Sequence, residues 1–421
     1  MTKQLKNGNR TIALITLILA GEVIFFLPFV LVRVFRPTLL LVFEISNLEL
    51  GFYFSIYGIV AMASYFFGGP LADRFHARSL IAIALWFTGL GGLVMSLIPS
   101  KDVLVFLYAF WGFTTIFLFW AALIRATREW GGDGFQGKAF GLLEGGRGLT
   151  AALIASLALF IFSWLIPSDL DPSFSEQRHA SFQIVILSVT AITFIIGFMA
   201  WHFIPKKELV IKERKNKPSL NTIIQLIRKP TIWMQAIIII CAYVGYKITD
   251  DISLYSYDVL GFDEVSAASV GTAAIWMRPV FAVFAGYLAD RISGSNVIIG
   301  CFTLMVIGGF MIASGILDHL VWIILLIMTS TLIGVYGLRG VYFAIMKDAG
   351  IPLVATGTAV GIMSVIGYTP DVFMSPLMGY LLDSYPGAQG HHYVLLVLAL
   401  FSIVGLVVSI KFRSITIKRT A

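Results

Sequence analysis

The sequence predicts an all-α membrane protein of twelve transmembrane helices in two halves of six, with both termini in the cytoplasm. Three observations carry this. Hydrophobic residues make up 58% of the 421-residue chain and charged residues only 13%, about half the charge of an ordinary soluble domain. A helix needs about 20 residues to cross the hydrocarbon core, so a span with its connection uses roughly 35 and the chain accommodates about twelve. One long polar stretch, Pro205 to Asn221, splits those spans six and six. Almost nothing remains for a soluble domain, which excludes a large extramembrane catalytic domain, a DNA-binding module and a secreted disulfide framework. Cys241 and Cys301 lie in apolar runs and read as buried thiols.

Taken in order, the apolar runs give spans near 11–34, 48–71, 79–99, 103–126, 138–166, 180–204, 231–256, 264–288, 296–317, 320–345, 353–382 and 392–412. The first run is too long for a signal peptide and lacks a small-residue cleavage site. The domains are accordingly 1–204 and 231–421, six helices each, joined by a cytoplasmic linker at 205–230. Within the linker, Ser219 caps a short amphipathic segment reaching Arg228. The linker's basic run is either a solvated connector or a contact for anionic membrane lipid. The net charge of +7 is an orientation signal rather than a nucleic-acid one. Of the 30 basic residues, 22 fall on the side of the termini and three, Arg36, Lys101 and Arg178, on the other, which places the termini inside.

A repeat supplies the most specific signal. Gly69-Pro70-Leu71-Ala72-Asp73-Arg74 follows the second span, and Gly286-Tyr287-Leu288-Ala289-Asp290-Arg291 follows the eighth, six spans later. Five of the six positions match. In such a turn glycine allows close helix approach, the carboxylate can meet a helix N-terminus, and the arginine an anionic counterpart.

On these residues the chain resembles the major facilitator superfamily (MFS), whose G-x-L-A-D-R signature joins spans two and three and recurs between eight and nine. The stretch Asp73-Arg74-Phe75-His76-Ala77-Arg78, with Leu50-Gly51-Phe52 opening span two, looks most like its organophosphate:phosphate antiporter branch. The resemblance implies two six-helix bundles around a central site that opens alternately to either side. It also implies a cytoplasmic gate of Asp73, Arg74 and Arg78, with Arg125 or Arg128 as partner, and a counterpart at Asp290 and Arg291. Arg33 is similar in place to the phosphate-binding arginine of that branch, about one turn further out. Tyr246 and Lys247 stand where the branch has its second arginine.

Function belongs to charges that stay at membrane depth, because each is costly unless it faces a partner or a wet cavity. Five basic residues remain there: Arg33, Arg147, Lys247, Arg278 and Arg339; the acidic ones are Glu22, Glu144, Asp250, Asp251 and Asp371. Glu22 stands alone near mid-depth in span one and reads as a proton relay. Glu144 and Arg147 lie three apart on one face of a glycine-rich helix. They form either an intrahelical pair or a substrate-binding arginine beside a proton-carrying carboxylate. Lys247 is spaced for Asp250 or Asp251 at i,i+3 and i,i+4, so it is either their structural partner or a substrate-facing cation, with the aspartates in an outer gate or proton path. Tyr243 and Tyr246, a turn apart, either pack or line the same cavity. Arg278 precedes Pro279 in span eight, Arg339 sits between Gly337 and Gly340, and Asp371 follows Pro370. Helices broken at charged positions favour a cavity, and Asp371 has Arg339 or Arg278 as its expected partner. His319, His391 and His392 are assigned to outer loops.

These residues predict a secondary transporter of a small organic anion coupled to protons, in the plasma membrane (the bacterial inner membrane), monomeric and without cofactor or metal. Substrate binding is assigned to Arg147, Lys247, Arg33, Tyr243, Tyr246 and Arg339, proton coupling to Glu144, Glu22 and Asp371, and outer gating to Asp250 and Asp251. An exporter of drugs or neutral metabolites is the alternative within transport, and a transporter-like membrane sensor the alternative outside it. The absence of a Walker-type loop argues against ATP-driven pumping, and no His or Ser-His cluster suggests an enzyme.

Overall fold

The computed structural model describes residues 7–131, 136–166, 175–206, 228–346 and 363–420. Among them there are helices and turns but no strand. Eleven helical runs are long and apolar enough to cross a membrane: Arg10–Phe43, Asn47–Tyr65, Ala77–Ser96, Lys101–Gly131, Gly141–Leu165, Ser175–Phe203, Pro230–Asp258, Glu264–Ile292, Gly294–Ala313, Val321–Val341 and Ala388–Thr416. They are numbered here as spans 1 to 10 and 12. The expected span 11, 353–382, lies partly outside the described residues; its described part contains the helix Pro370–Ser384. Most of the expected linker, with its amphipathic segment, also lies outside them.

The chain folds as two compact units. One comprises Met1–Val210 with Phe262–Pro279, the other Ile211–Gly261 with Val280–Ala421. The first half of the span 8 helix therefore groups with the first unit, which the sequence boundaries did not anticipate. The first unit's core is aromatic, with Phe26, Phe35, Tyr108, Trp111, Phe119, Phe162 and Phe182 buried. Hydroxyls buried in this apolar interior pair with one another: Tyr57 with Thr115 at 2.6 Å and Thr88 with Thr114 at 2.8 Å, as an interior without water requires. In the second unit Phe302, Tyr336 and Phe412 hold the equivalent place.

The same packing device appears in both units. Spans 3 and 6 lie against each other where Gly92 leaves room for Thr190, and where a Cβ on Gly197 would come within 2.6 Å of Trp86. Spans 9 and 12 repeat it, with Gly309 against Ala399 and Gly405 against the ring of Phe302. Small residues let membrane helices approach closely enough for dispersion to hold them.

Three expectations are corrected. Span 1 runs to Phe43 rather than ending near 34, because the apolar run resumes after Arg36 and the helix bends instead of stopping. It passes through a π-turn at Phe26–Val30 and a kink at Phe35 (φ −114°, ψ 33°), and carries Pro37 inside. Arg36 is consequently a buried helical residue, not a loop cation, and its guanidinium donates to Asn47 Oδ1 at 2.8 and 3.1 Å. The last helix begins at Ala388, so His391 and His392 lie within it. Gly286 of the second repeat faces open space rather than a close neighbour; in the first unit the close approach falls to Gly68, against the backbone of Ile116 and Phe117.

Candidate functional site

In the first unit the membrane-depth charges gather around Glu22. Span 1 buries this carboxylate, with a side chain 3% exposed. Oε1 accepts from Arg278 Nη1 at 2.8 Å, and Oε2 lies 3.3 Å from Arg147 Nε. Arg147 has further partners. Its Nε donates to the Gly21 carbonyl at 2.9 Å and its Nη1 to Glu144 Oε1 at 2.7 Å, while its guanidinium faces the rings of Phe25 and Trp120. Glycines admit this arrangement: a Cβ on Gly146 would strike Ile18, and one on Gly148 would press on Pro279. Two cations and two carboxylates make a neutral quartet. Glu144, however, has 56% of its side chain exposed, so the two carboxylates live in different surroundings.

The second unit carries a matching quartet of Lys247, Arg339, Asp250 and Asp371. Span 7 is not one regular helix. Pro230–Ile248 gives way to a 3₁₀ turn, Thr249–Asp251, before Ile252–Asp258 resumes. Lys247, in the last turn before that break, and Asp250, within it, pair at 3.2 Å. Lys247 also lies 3.7 Å from Asp371, whose two oxygens accept from the Tyr243 hydroxyl at 3.1 Å each. Of the two partners expected for Asp371, Arg339 lies within electrostatic reach, Arg278 belongs to Glu22, and the ion pair is made by Lys247. Of the two aspartates spaced for Lys247, Asp250 takes it, and Asp251 turns to His391.

Arg339 is held differently. Its guanidinium lies 3.8 Å above the ring of Tyr246 and 5.9 Å from that of Tyr243. Tyr342 and Tyr368 stand beside it, their hydroxyls 3.5 Å apart, and the Tyr368 ring is 4.9 Å from that of Tyr243. Four tyrosines thus stand near one guanidinium, and the faces of two of them, Tyr243 and Tyr246, attract its charge. Nη1 is buried and has no hydrogen-bond partner among the described residues. A guanidinium carries five donors and no acceptor, and an unused buried donor of that strength is costly.

The remaining sequence-predicted residues stand apart from these clusters. Arg33 is buried in span 1, eleven residues and about 16 Å of helix beyond Glu22. Arg125 of span 4 donates to the Ala72 carbonyl, near the end of the helix Asn47–Arg74, and pairs with Glu129 at 2.8 Å. This sets span 4 against the first repeat at the residue before Asp73, whose own side chain lies outside the described part. Arg74 and Arg128 are exposed, and Arg78 lies over Trp201 at 5.1 Å. Asp290 and Arg291 are exposed, with Arg291 over Tyr287. Sequence reasoning left Arg278, Tyr342, Tyr368 and His391 out of the site. Arg278 carried a signal, a mid-membrane cation before a proline; the others carried none beyond residue type.

Comparison with known proteins agrees with this architecture. Residues 13–348 match the family described as the Major Facilitator Superfamily. The chain is 29% identical over 360 residues to the inner membrane protein YqcE of Escherichia coli (strain K12), covering 82% of this chain and 81% of that one. It is 26% identical over 379 residues to YihN of the same organism, 87% of each. The crystal structure of a D-xylose-proton symporter superposes with a TM-score of 0.75 at 15% identity, over 96% of each chain. With its apolar helical spans and its inner membrane relatives, the protein is an integral inner membrane protein. Two helical units built on one repeated signature, each burying a set of opposed charges, are the architecture of a transporter rather than of an enzyme, and the chain belongs to the Major Facilitator Superfamily.

Proposed function

We propose that the protein is a secondary active transporter that carries a small organic anion in exchange for, or together with, protons. The observation that supports the anion is the buried Nη1 of Arg339, which has no acceptor among the described residues, while Arg147 and Arg278 are engaged by carboxylate and carbonyl oxygens. A carboxylate or phosphate oxygen is the acceptor a guanidinium fork is shaped for, and the tyrosine faces suit the uncharged body of the same molecule. Asp371 and Lys247 neighbour this position, so a bound anion competes with Asp371 for the cations and favours its protonation. Glu22 has the same relation to Arg147 and Arg278 in the first unit. It is buried between them, whereas the carboxylate of Glu144 is largely exposed. The D-xylose-proton symporter of the same fold supports proton coupling as chemistry that the architecture accommodates.

The test is a thermal-shift screen of sugar phosphates, hexuronates, short carboxylates, amino acids and nucleosides, followed by uptake into proteoliposomes. Anions should stabilise the wild type, and Arg339→Ala should weaken the best of them roughly 10- to 100-fold, the worth of a charge-assisted hydrogen bond. Stabilisation by neutral compounds alone, or an Arg339→Ala variant of unchanged affinity, overturns the reading. Binding without flux would instead identify a sensor.

A further inference from the structure

His391 lies in the last helix, 1% exposed, and takes no part in either quartet. Its Nδ1 is 2.8 Å from Asp251 Oδ2 and its Nε2 is 3.1 Å from Asp258 Oδ2. A neutral imidazole has one N–H and one lone pair. Between two carboxylates the lone pair would face an acceptor, an arrangement that is repulsive and, in a buried site, costly. With both aspartates ionised, both contacts are satisfied together only when both ring nitrogens carry hydrogen. We propose that Asp251, His391 and Asp258 form a proton-binding site in the second unit, distinct from Glu22 and Asp371, which holds its proton as an imidazolium between two carboxylates.

The two acids come from one segment and the base from another. Asp251 closes the 3₁₀ break of span 7 and is buried; Asp258 ends the short helix that follows and is partly exposed. Seven positions apart, they stand two turns along one face, with Tyr255 between them, its ring edge-on to the imidazole at a centroid distance of 5.4 Å. The bound proton therefore ties the end of span 7 to the start of span 12 along two turns of helix. Its loss leaves two carboxylates around a lone pair and frees the more exposed one, Asp258. The other ionisable groups near the site are accounted for. Lys247 and Asp250 pair with each other on the preceding turn, and His392 pairs with Asp318 at 3.1 Å. Asp318, from the connection between spans 9 and 10, also lies near Tyr255.

The site takes only a proton and requires no assumption about the transported molecule. Solid-state NMR of the full chain in lipid, with ring-¹⁵N-labelled histidine, reads it directly, because the imidazolium and the two neutral tautomers have separate nitrogen signals. The expected result is that both nitrogens of His391 are protonated at pH 7, and that Asp258→Asn lowers its proton affinity roughly tenfold or more, since one of two opposite charges is removed. His391→Gln assigns the signal. If that variant fails to fold, the response to Asp258→Asn assigns it, the partly exposed Asp258 being the safer position to alter. A neutral imidazole at pH 7, or a proton affinity unchanged in Asp258→Asn, overturns the proposal.

Discussion

Replacing Glu22 with alanine removes the carboxylate that lies between two buried guanidinium groups, so Arg147 and Arg278 would face each other without it. Breaking a buried ion pair in this way costs about 3–5 kcal/mol. Glu22→Ala should therefore melt well below the wild type in detergent, and Glu22→Gln, which keeps the volume and one acceptor, should fall between them. A melting temperature of Glu22→Ala within a degree of wild type would show that the arginines do not need it. If Glu22 also carries the transported proton, Glu22→Gln retains substrate binding but takes up substrate without response to an imposed pH gradient; an intact response transfers that role to Glu144 or Asp371. The sequence reveals some of these partners and hides others for a geometric reason. Glu144 with Arg147 and Lys247 with Asp250 are three residues apart, and the helical repeat alone brings them together. Glu22 with Arg278, or Asp251 with His391, are joined across the sequence by tertiary packing, which no local period encodes. His391 in particular sits at the edge of an apolar run, where a helix start and a loop look alike.

At the level of the helices, the glycines divide into those that touch something and those that do not. Gly405 packs onto the ring of Phe302, whereas a Cβ on Gly286 would meet nothing within 4 Å. Gly405→Leu should therefore destabilise the protein by about 1–3 kcal/mol through overpacking. Gly286→Ala should leave it unchanged or stabilise it by up to about 1 kcal/mol, since alanine is the better helix former. Thermal denaturation of both variants in one detergent tests the pair; equal shifts would mean that spans 9 and 12 do not depend on the close approach. Eleven of the twelve expected spans were legible from hydropathy among the described residues, because burial in lipid demands continuous apolar runs. Their irregularities were legible only in part. The kink at Phe35 lies in the turn before Pro37, and the 3₁₀ turn at Thr249–Asp251 is made of weak helix formers; residue type marks both places as breakable, but the angle each adopts depends on packing from elsewhere in the chain.

For the whole molecule, the charge asymmetry of the loops makes a topological prediction. With Arg36 withdrawn into span 1, the side opposite the termini keeps only Lys101 and Arg178, each paired with a glutamate, Glu49 and Glu264. A cysteine introduced at Ser175 should react with a membrane-impermeant maleimide from outside intact cells, and one introduced near either terminus only after permeabilisation. The native Cys241 and Cys301 are buried and should contribute little background. The reverse labelling pattern would invert the assignment. The length of span 1 bears on the same boundary. Its 34-residue run measures about 51 Å along its bent path, against a hydrocarbon thickness of about 30 Å. No tilt of ordinary size absorbs so large a mismatch, so the helix projects beyond the lipid. The fork from Arg36 to Asn47 then lies at headgroup level, and thinning or thickening the bilayer should change the surroundings of this polar clasp before it reaches either buried quartet.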